Sequence, residues 1–580
     1  MVNRKLTEKK VSVVDLFPYI FIVAVVPLIV HLYINKLDPV EAANWTGGDE
    51  YADLFSYWKS RWFIIASAIG LSLFIIRSIT GRVQLKPDHS LYIPAAVYTL
   101  FIILSTVNSK YISVALSGFV ARHEGLFVLL FYVLNMLVIF NLVNNEKHVK
   151  IICNSLLISA AVISLLGLLQ FTGHDFFKTG LGKSLILPSE FAVSELEFQF
   201  GNMVYGTLSN PNYMGSYVAL VFPIAMASIF VVKKKSLKIA SGVLSVLLLV
   251  NLAGSRSSAG LVGLGTGIIL LVICFRKHIF RNKIIIAVSM AIVLVAISFI
   301  AYKVLSDIDT GTPEYYLEDI VLGDNTAKIV SSTETLVIRF DDPNLTFHDE
   351  SGNKLEIDIS KKDERTVVAF KDAAYKNYTV EILGDYIKVK NTGVEFYLRI
   401  KPDSMVLVGP GGKETENIAK PSALNVRGFE KAGSARIYIW SRTVPLLKDT
   451  VFLGSGPDTF AIVFPQYDYI GKINAYGTSN IIVDKPHNIY LQIAVNTGIL
   501  SLLAFIAIII VYIVTGSKAY IIGKSSNAAT YGAAIFIGIC SYLVTGLFND
   551  SVLGVSPIFW VLLGTGFACN KEITAEKNGL

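Results

Sequence analysis

Charge is scarce in this sequence. Of its 580 residues, 16% are charged and 53% are hydrophobic, where a soluble chain of this length carries about a quarter charged. What charge there is gathers in a few places, leaving uncharged runs long enough to cross a bilayer. An ordinary soluble globular protein is excluded, and a polytopic integral membrane protein is expected. Cysteine is scarcer still. Cys153, Cys274, Cys540 and Cys569 are the four, all in or beside apolar segments. That excludes a disulfide framework and a C-x-x-C metal pattern. No small-residue cleavage site follows MVNRKLTEKK and its apolar run, so this start reads as a retained first helix and not as a signal peptide. The net charge of +7 does not imply nucleic acid as a partner. The basic residues lie in short clusters between apolar runs, which is the pattern of the positive-inside rule.

Apolar runs of about 17–25 residues predict an all-α polytopic membrane protein of about twelve transmembrane helices. They fall near 15–33, 61–79, 90–107, 125–143, 150–171, 213–232, 237–253, 258–275, 284–304, 489–514, 529–547 and 553–569. Alternate connections carry the basic clusters: Arg4 to Lys10, Arg77 to Lys86, Lys147 and Lys150, Lys233 to Lys238, Arg276 to Lys283, and Lys518 with Lys524. These are expected on the cytoplasmic side with both termini. The acidic loop 34–60, the loops 108–124 and 172–212, the turns 254–257 and 548–552, and the large region 305–488 then face outward.

Between 305 and 430 the pattern changes to short alternating strands such as TLVIRFDD, RTVVAFKD and VEFYLRI, broken by DDPN, DESGN, KNTG and GPGG turns. This predicts an inserted extracytoplasmic β-rich domain, a sandwich or barrel, acting as an accessory or partner-contacting module. The expected organisation is 1–304 as helices one to nine, 305–430 as the insert, 431–488 as an outer helix and loop, and 489–580 as helices ten to twelve. SARIYIWSRTVPLLK (434–448) has near-helical apolar spacing and reads as an amphipathic helix on the outer membrane surface. In GSGPDTFAIVFPQY (454–467), Asp458 falls in the first turn of a short helix, where negative charge is favoured.

Several polar groups converge on the outward side: Arg122, His123 and Glu124, then Asn210, Pro211 and Asn212, then Arg256 in the turn GSRSSAG, then Arg436 and Arg442, then His487 and Asn488. Each has an ordinary reading. A lone arginine snorkels to the interface, Asn-Pro-Asn starts a helix, and a lone histidine is structural. Arg256 resists that reading most, because a charge in a turn between two apolar helices needs a partner. Two or three guanidiniums can hold a diphosphate by paired hydrogen bonds, and a neutral histidine beside them can act as general base.

At these residues the sequence resembles the O-antigen ligase and polymerase superfamily. RHEG (122–125), YGTLSNPNYMGSYVALVFPIA (205–225), AGSRSSAGLVGL (253–264) and the stretch 436–500 carry the resemblance. It spans about 100–515 without the insert, which departs from the family's minimal pattern. The resemblance implies a metal-independent glycosyl transfer that needs no cofactor. A glycan would pass from a polyprenyl-diphosphate donor to a hydroxyl on a glycan, lipid or protein, at the outer face of the cytoplasmic membrane. It implies His487 as base, Arg256, Arg436 and Arg122 on the donor diphosphate, and Arg442, Asn488, Asn210 and Asn212 in support. Two alternatives stand beside it: a lipid-linked glycan flippase, and a metal-dependent transferase using Asp49, Glu50 and Asp53 in the first outer loop.

Overall fold

The computed structural model describes residues 11–45, 48–191, 203–279, 315–522 and 529–577. The expected ninth span (284–304) and the basic residues Arg4 to Lys10, Arg281, Lys283 and Lys524 lie outside them. The first half holds helices α1 (Phe17–Ala24), α2 (Tyr57–Ile79), α3 (His89–Val107), α4 (Leu126–Leu142), α5 (Glu146–Phe171), α6 (Pro211–Val231), α7 (Lys235–Ser255) and α8 (Ser258–Ile279). After the β region come α9 (Arg436–Leu446), α10 (Tyr469–Tyr476), α11 (Ile489–Thr497), α12 (Ile499–Gly516), α13 (Ala529–Thr545) and α14 (Ser556–Lys577). Among the described residues seven helices are long and apolar enough to cross a membrane: α2, α3, α5, α6, α7, α8 and α12. The chain is a membrane protein with an inserted β domain.

Helix α6 is the axis of the bundle. Of its apolar window 78% is enclosed by protein, against 22% for α2, and it packs on α7, α8 and α13. Its start is set locally. Asn210 caps it by accepting from the Asn212 amide at 2.8 Å, and Pro211 occupies the first turn, where its missing N–H costs nothing. Gly215 then lets α6 meet the α7–α8 turn closely. A Cβ there would stand 2.3 Å from Ser257 Oγ and 3.0 Å from Gly260 Cα.

Two expected spans take a different course. In the 15–33 run α1 is flanked by short 3-10 turns, and the helical stretch ends at Leu28, where Pro27 breaks the regular bonding. The chain then extends into β1 (Tyr33–Lys36), which pairs with β2 (Glu50–Asp53). The 489–514 run is broken at Gly498, at φ 95°, into α11 and α12. The backbone of the 450–455 loop presses against the break: Ile499 N donates to Val451 O at 2.9 Å, and a Cβ on Gly498 would stand 2.4 Å from Phe452 O. Glycine alone fits that approach.

The β region comprises two antiparallel sheets. Four strands, β3 to β6, run between Leu317 and His348, and seven, β7 to β13, between Ile357 and Thr415. The expected alternation is visible in β11 (Val394–Ile400), which buries Val394, Phe396 and Leu398. The insert is not an appended bead. Tyr469, Ile470 and Ile473 of α10 belong to its apolar core, and Asn474 exchanges two hydrogen bonds with the Leu317 backbone, at 2.8 and 3.0 Å.

Gly215→Ala is expected to push α6 from the Arg256 turn and to cost about 1–3 kcal/mol, as overpacking does. A lower melting temperature of the detergent-purified variant checks this; an unchanged one contradicts the close approach.

Candidate active site

The site is assembled where α6, α11 and the turns before α8, α11 and α14 share one end of the bundle. His487 sits in the left-handed region at φ 50°, directly before α11. Asn488 is the cap of that helix, accepting from the Tyr490 and Leu491 amides at 2.9 and 3.0 Å and donating to Leu547 O at 3.0 Å. The cap thus fixes the backbone and leaves the histidine ring outside the helix. Trp440 of α9 holds the preceding residue by donating to Pro486 O at 2.8 Å.

His487 Nδ1 lies 3.0 Å from Asp550 Oδ2; the histidine side chain is 26% exposed and the carboxylate 0%. The contact is out of line for hydrogen bonding, and neither Asp550 oxygen has an aligned donor among the described residues. Burial by itself raises the Asp550 carboxyl, but His487, and then Arg122 and Lys485, outweigh it and hold it down to about 2. The Asp550 turn is placed by its neighbour Asn549, which donates to Asn212 O at 3.1 Å and Ser216 Oγ at 2.7 Å on α6. Sequence reasoning passed over Asp550. A lone carboxylate in a short turn between apolar helices was its signal, the same one that singled out Arg256.

Lys485 and Asp484 pair at 2.8 Å two and three residues before the histidine. Lys485 Nζ stands 5.9 Å from the centre of the Tyr213 ring. Burial lowers Lys485 in isolation, yet Asp484, Tyr213 and Asp550 together raise it, so it remains charged. Asp484, Lys485 and Tyr213 fall within the stretches that carry the resemblance, but were not singled out there.

The four expected arginines have different surroundings. Arg122 is buried; its Nε donates to Asp458 at 2.6 Å, its Nη2 lies 3.3 Å from Glu124, and it reaches Ser551 O at 3.3 Å. Asp458 is therefore not a helix-start charge facing solvent. It lies before the Phe460–Val463 helix, at φ 58°, and also accepts from the Phe119 and Glu124 amides at 2.9 and 3.2 Å. Arg442 is likewise answered, by Asp468 at 2.8 Å, with its guanidinium over the Tyr438 ring. Among the described residues Arg436 has no carboxylate partner. It donates to Phe548 O and Gly433 O, both at 2.9 Å. Burial lowers it below the ordinary arginine value, offset in part by Asp550, Tyr476 and Tyr213. Arg256 is exposed at φ 53°, and among the described residues its guanidinium makes no hydrogen bond or ion pair. Its turn lies against α6 at Gly215, one residue from the Ser216 that Asn549 holds.

Helix α9 does not lie free on a bilayer surface as its periodicity suggested. It buries Tyr438 and Ile439, and packs in a cluster with Phe460, Phe464, Val483 and Val495 of the following chain. In the first outer loop, Asp53 is buried and accepts from the Phe55, Ser56 and Tyr57 amides at 2.7, 2.8 and 3.0 Å, with His123 Nε2 3.2 Å away. It starts α2. Asp49 and Glu50 are exposed. Among the described residues no group of three or more His, Cys, Asp or Glu is placed to hold a metal ion.

Glu124 accepts from Tyr132 Oη at 2.6 Å and Ser551 Oγ at 2.8 Å. Burial, opposed by Arg122 and reinforced by Asp458, raises its carboxyl from 4.5 to about 7. A group raised on folding contributes stability that is complete below its unfolded value and lost as pH rises through its folded one. The melting temperature of Glu124→Gln should therefore gain on wild type between pH 4.5 and about 7 and hold a constant offset above. Arg122→Gln leaves two buried carboxylates unpaired and should cost about 3–5 kcal/mol, with Arg122→Lys restoring part. Thermal unfolding at wild-type temperature by Arg122→Gln contradicts the structural role.

Residues 404–506 match the family model described as O-antigen ligase. The match covers α9, α10, α11 and the start of α12, and so contains Arg436, Arg442 and His487. No curated protein and no solved structure matches the chain.

Proposed function

The chain carries an O-antigen ligase domain at residues 404–506, and from that premise we propose a membrane glycosyltransferase that moves a glycan from a polyprenyl-diphosphate donor to a hydroxyl acceptor on the outer face of the cytoplasmic membrane. One observation carries the reading: a partly exposed histidine backed by a fully buried carboxylate, beside a partly buried arginine with no acid of its own among the described residues.

The chemistry follows from that pairing. Nδ1 faces Asp550 at 3.0 Å, so a proton carried there is favoured by the carboxylate's charge, and Nε2 is left as the acceptor. Nε2 takes the proton of the acceptor hydroxyl. The oxygen forms a bond to the anomeric carbon, and the bond from that carbon to the phosphate oxygen breaks, its electron pair leaving with the lipid diphosphate. Asp550 then faces an imidazolium and stabilises it. Arg436, poorly satisfied while the site is empty, is offset by the charge that develops on the leaving diphosphate. That stabilisation grows toward the transition state and so accelerates the step. Arg256, free of any acid, is the second cation for the diphosphate. Arg122 is assigned to holding Asp458 and Glu124, and acts on the donor only through the field it adds near Asp550. Arg442 is assigned to α9 itself, and Asn210 and Asn488 to their helix caps. Of the acidic-loop alternative's three acids, Asp53 is occupied by the start of α2, which leaves it Asp49 and Glu50.

His487→Ala is expected to lower transfer about 10²-fold or more, the usual worth of a general base. Arg436→Ala and Arg256→Ala should lower kcat, with the protein still inserted and folded. Asp550→Asn should shift the pH–rate profile as well as its height. Purified protein in lipid, supplied with lipid-linked glycan and acceptor, gives the readout; wild-type rates from His487→Ala would overturn the assignment.

A further inference from the structure

Away from His487, an open cleft of about 680 Å³ lies between the β domain and the helical return. That is within the range of about 300–1,000 Å³ typical of ligand clefts. Its walls include Asn44 from the first outer loop, Pro410 and Lys413 from the β domain, Pro421 and Ser422 after it, and parts of 442–449 and 462–469 from the return. The walls are tied together. The Lys413 ammonium donates to the Ala43 carbonyl, and α10 is embedded in the β core. The cleft therefore exists because the insert is docked.

Its lining suits a carbohydrate. Tyr467 presents a large aromatic ring that is 50% exposed, and such a ring can cover the C–H face of a sugar while its hydroxyl stays wet. Asn44 supplies an amide whose oxygen and second N–H remain beyond its bond to Val40 O. Lys413 and Lys448 are exposed cations facing one exposed acid, Asp449, while Arg442 is already answered by Asp468. One positive charge is left over, which favours an acidic sugar.

The cleft also communicates with the histidine. Gln466 clamps Val483 by two hydrogen bonds, at 2.7 and 3.1 Å, and Val483 is four residues before His487. Four extended residues span roughly 14 Å at most. On the other wall, Trp440 holds Pro486 and Arg442 lies two residues further along α9. A glycan of a few sugars can reach from the histidine into the cleft.

We propose that this cleft is a subsite for the acceptor glycan, selecting chains with acidic sugars; it rests on the reading of His487 as the base of a glycosyl transfer. Full-length protein in nanodiscs is titrated with hexagalacturonate and with maltohexaose as the neutral probe of equal length. Wild type should bind the acidic probe more tightly. Tyr467→Ala should weaken both about tenfold, and Lys448→Glu should weaken only the acidic one, about fivefold. No binding of either probe by wild type, or wild-type affinities in both variants, overturns the subsite. Equal affinity of wild type for the two probes overturns its acidic preference. His487→Ala should bind as wild type does while losing transfer. If it keeps transfer, the catalytic reading falls and the binding result stands apart from it.

Discussion

The arrangement depends on one buried ion pair. Arg122 and Asp458 are 336 positions apart in sequence, yet their side chains meet at 2.6 Å with almost no exposure. Neither charge is tolerable alone at that depth, since a stranded buried ion costs several kcal/mol. The pair therefore forces the loop before α4 and the loop after α9 to close on each other. Asp458 extends the junction by accepting two backbone amides of the 119–124 loop. Arg122 extends it by reaching Ser551 O, which fixes the turn whose preceding residue is Asp550. Three segments that meet nowhere in sequence are thus held in register at one end of the bundle, and His487 finds its carboxylate there.

The insert is held by the same logic of shared burial. Helix α10 contributes apolar side chains to the β core, and its Asn474 satisfies a strand backbone. The other end of the return packs through Val483 and Val495 onto α9. The β domain, α9 and the histidine segment consequently behave as one packed body. Removing the insert exposes part of the core that positions the site, so the insert contributes structure as well as a surface.

Much of this was legible in sequence. Uncharged runs located the long helices because lipid allows only helices whose backbone is satisfied internally, and alternation located the strands. Two runs misled because hydropathy is blind to backbone geometry: Pro27 and Gly498 interrupt what composition alone reads as continuous. Helix α9 misled because a periodic apolar face does not say whether lipid or protein covers it. At the site, the histidine and arginines were legible as unusual residues, but their partners were not. Asp458, Asp468 and Asp550 are ordinary loop acids in sequence, and only folding brings them to their bases.

Those acids separate arginines that looked alike. Arg122, Arg256, Arg436 and Arg442 each stood out by position, with Arg256 the strongest case, the first three expected on the diphosphate and Arg442 in support. In the fold, Arg122 and Arg442 have carboxylates within hydrogen-bonding distance. A guanidinium already paired in a buried site has little to gain from a second anion and would have to give up the first. Arg436 is partly buried, and the carbonyl oxygens that its Nε and Nη1 meet do not neutralise its charge. It gains most from an anion that arrives, and most of all from one whose charge grows during reaction. Among the described residues no acid stands beside Arg436 while one stands behind His487, and under the proposed function this difference divides the cluster into a base and an electrophilic clamp.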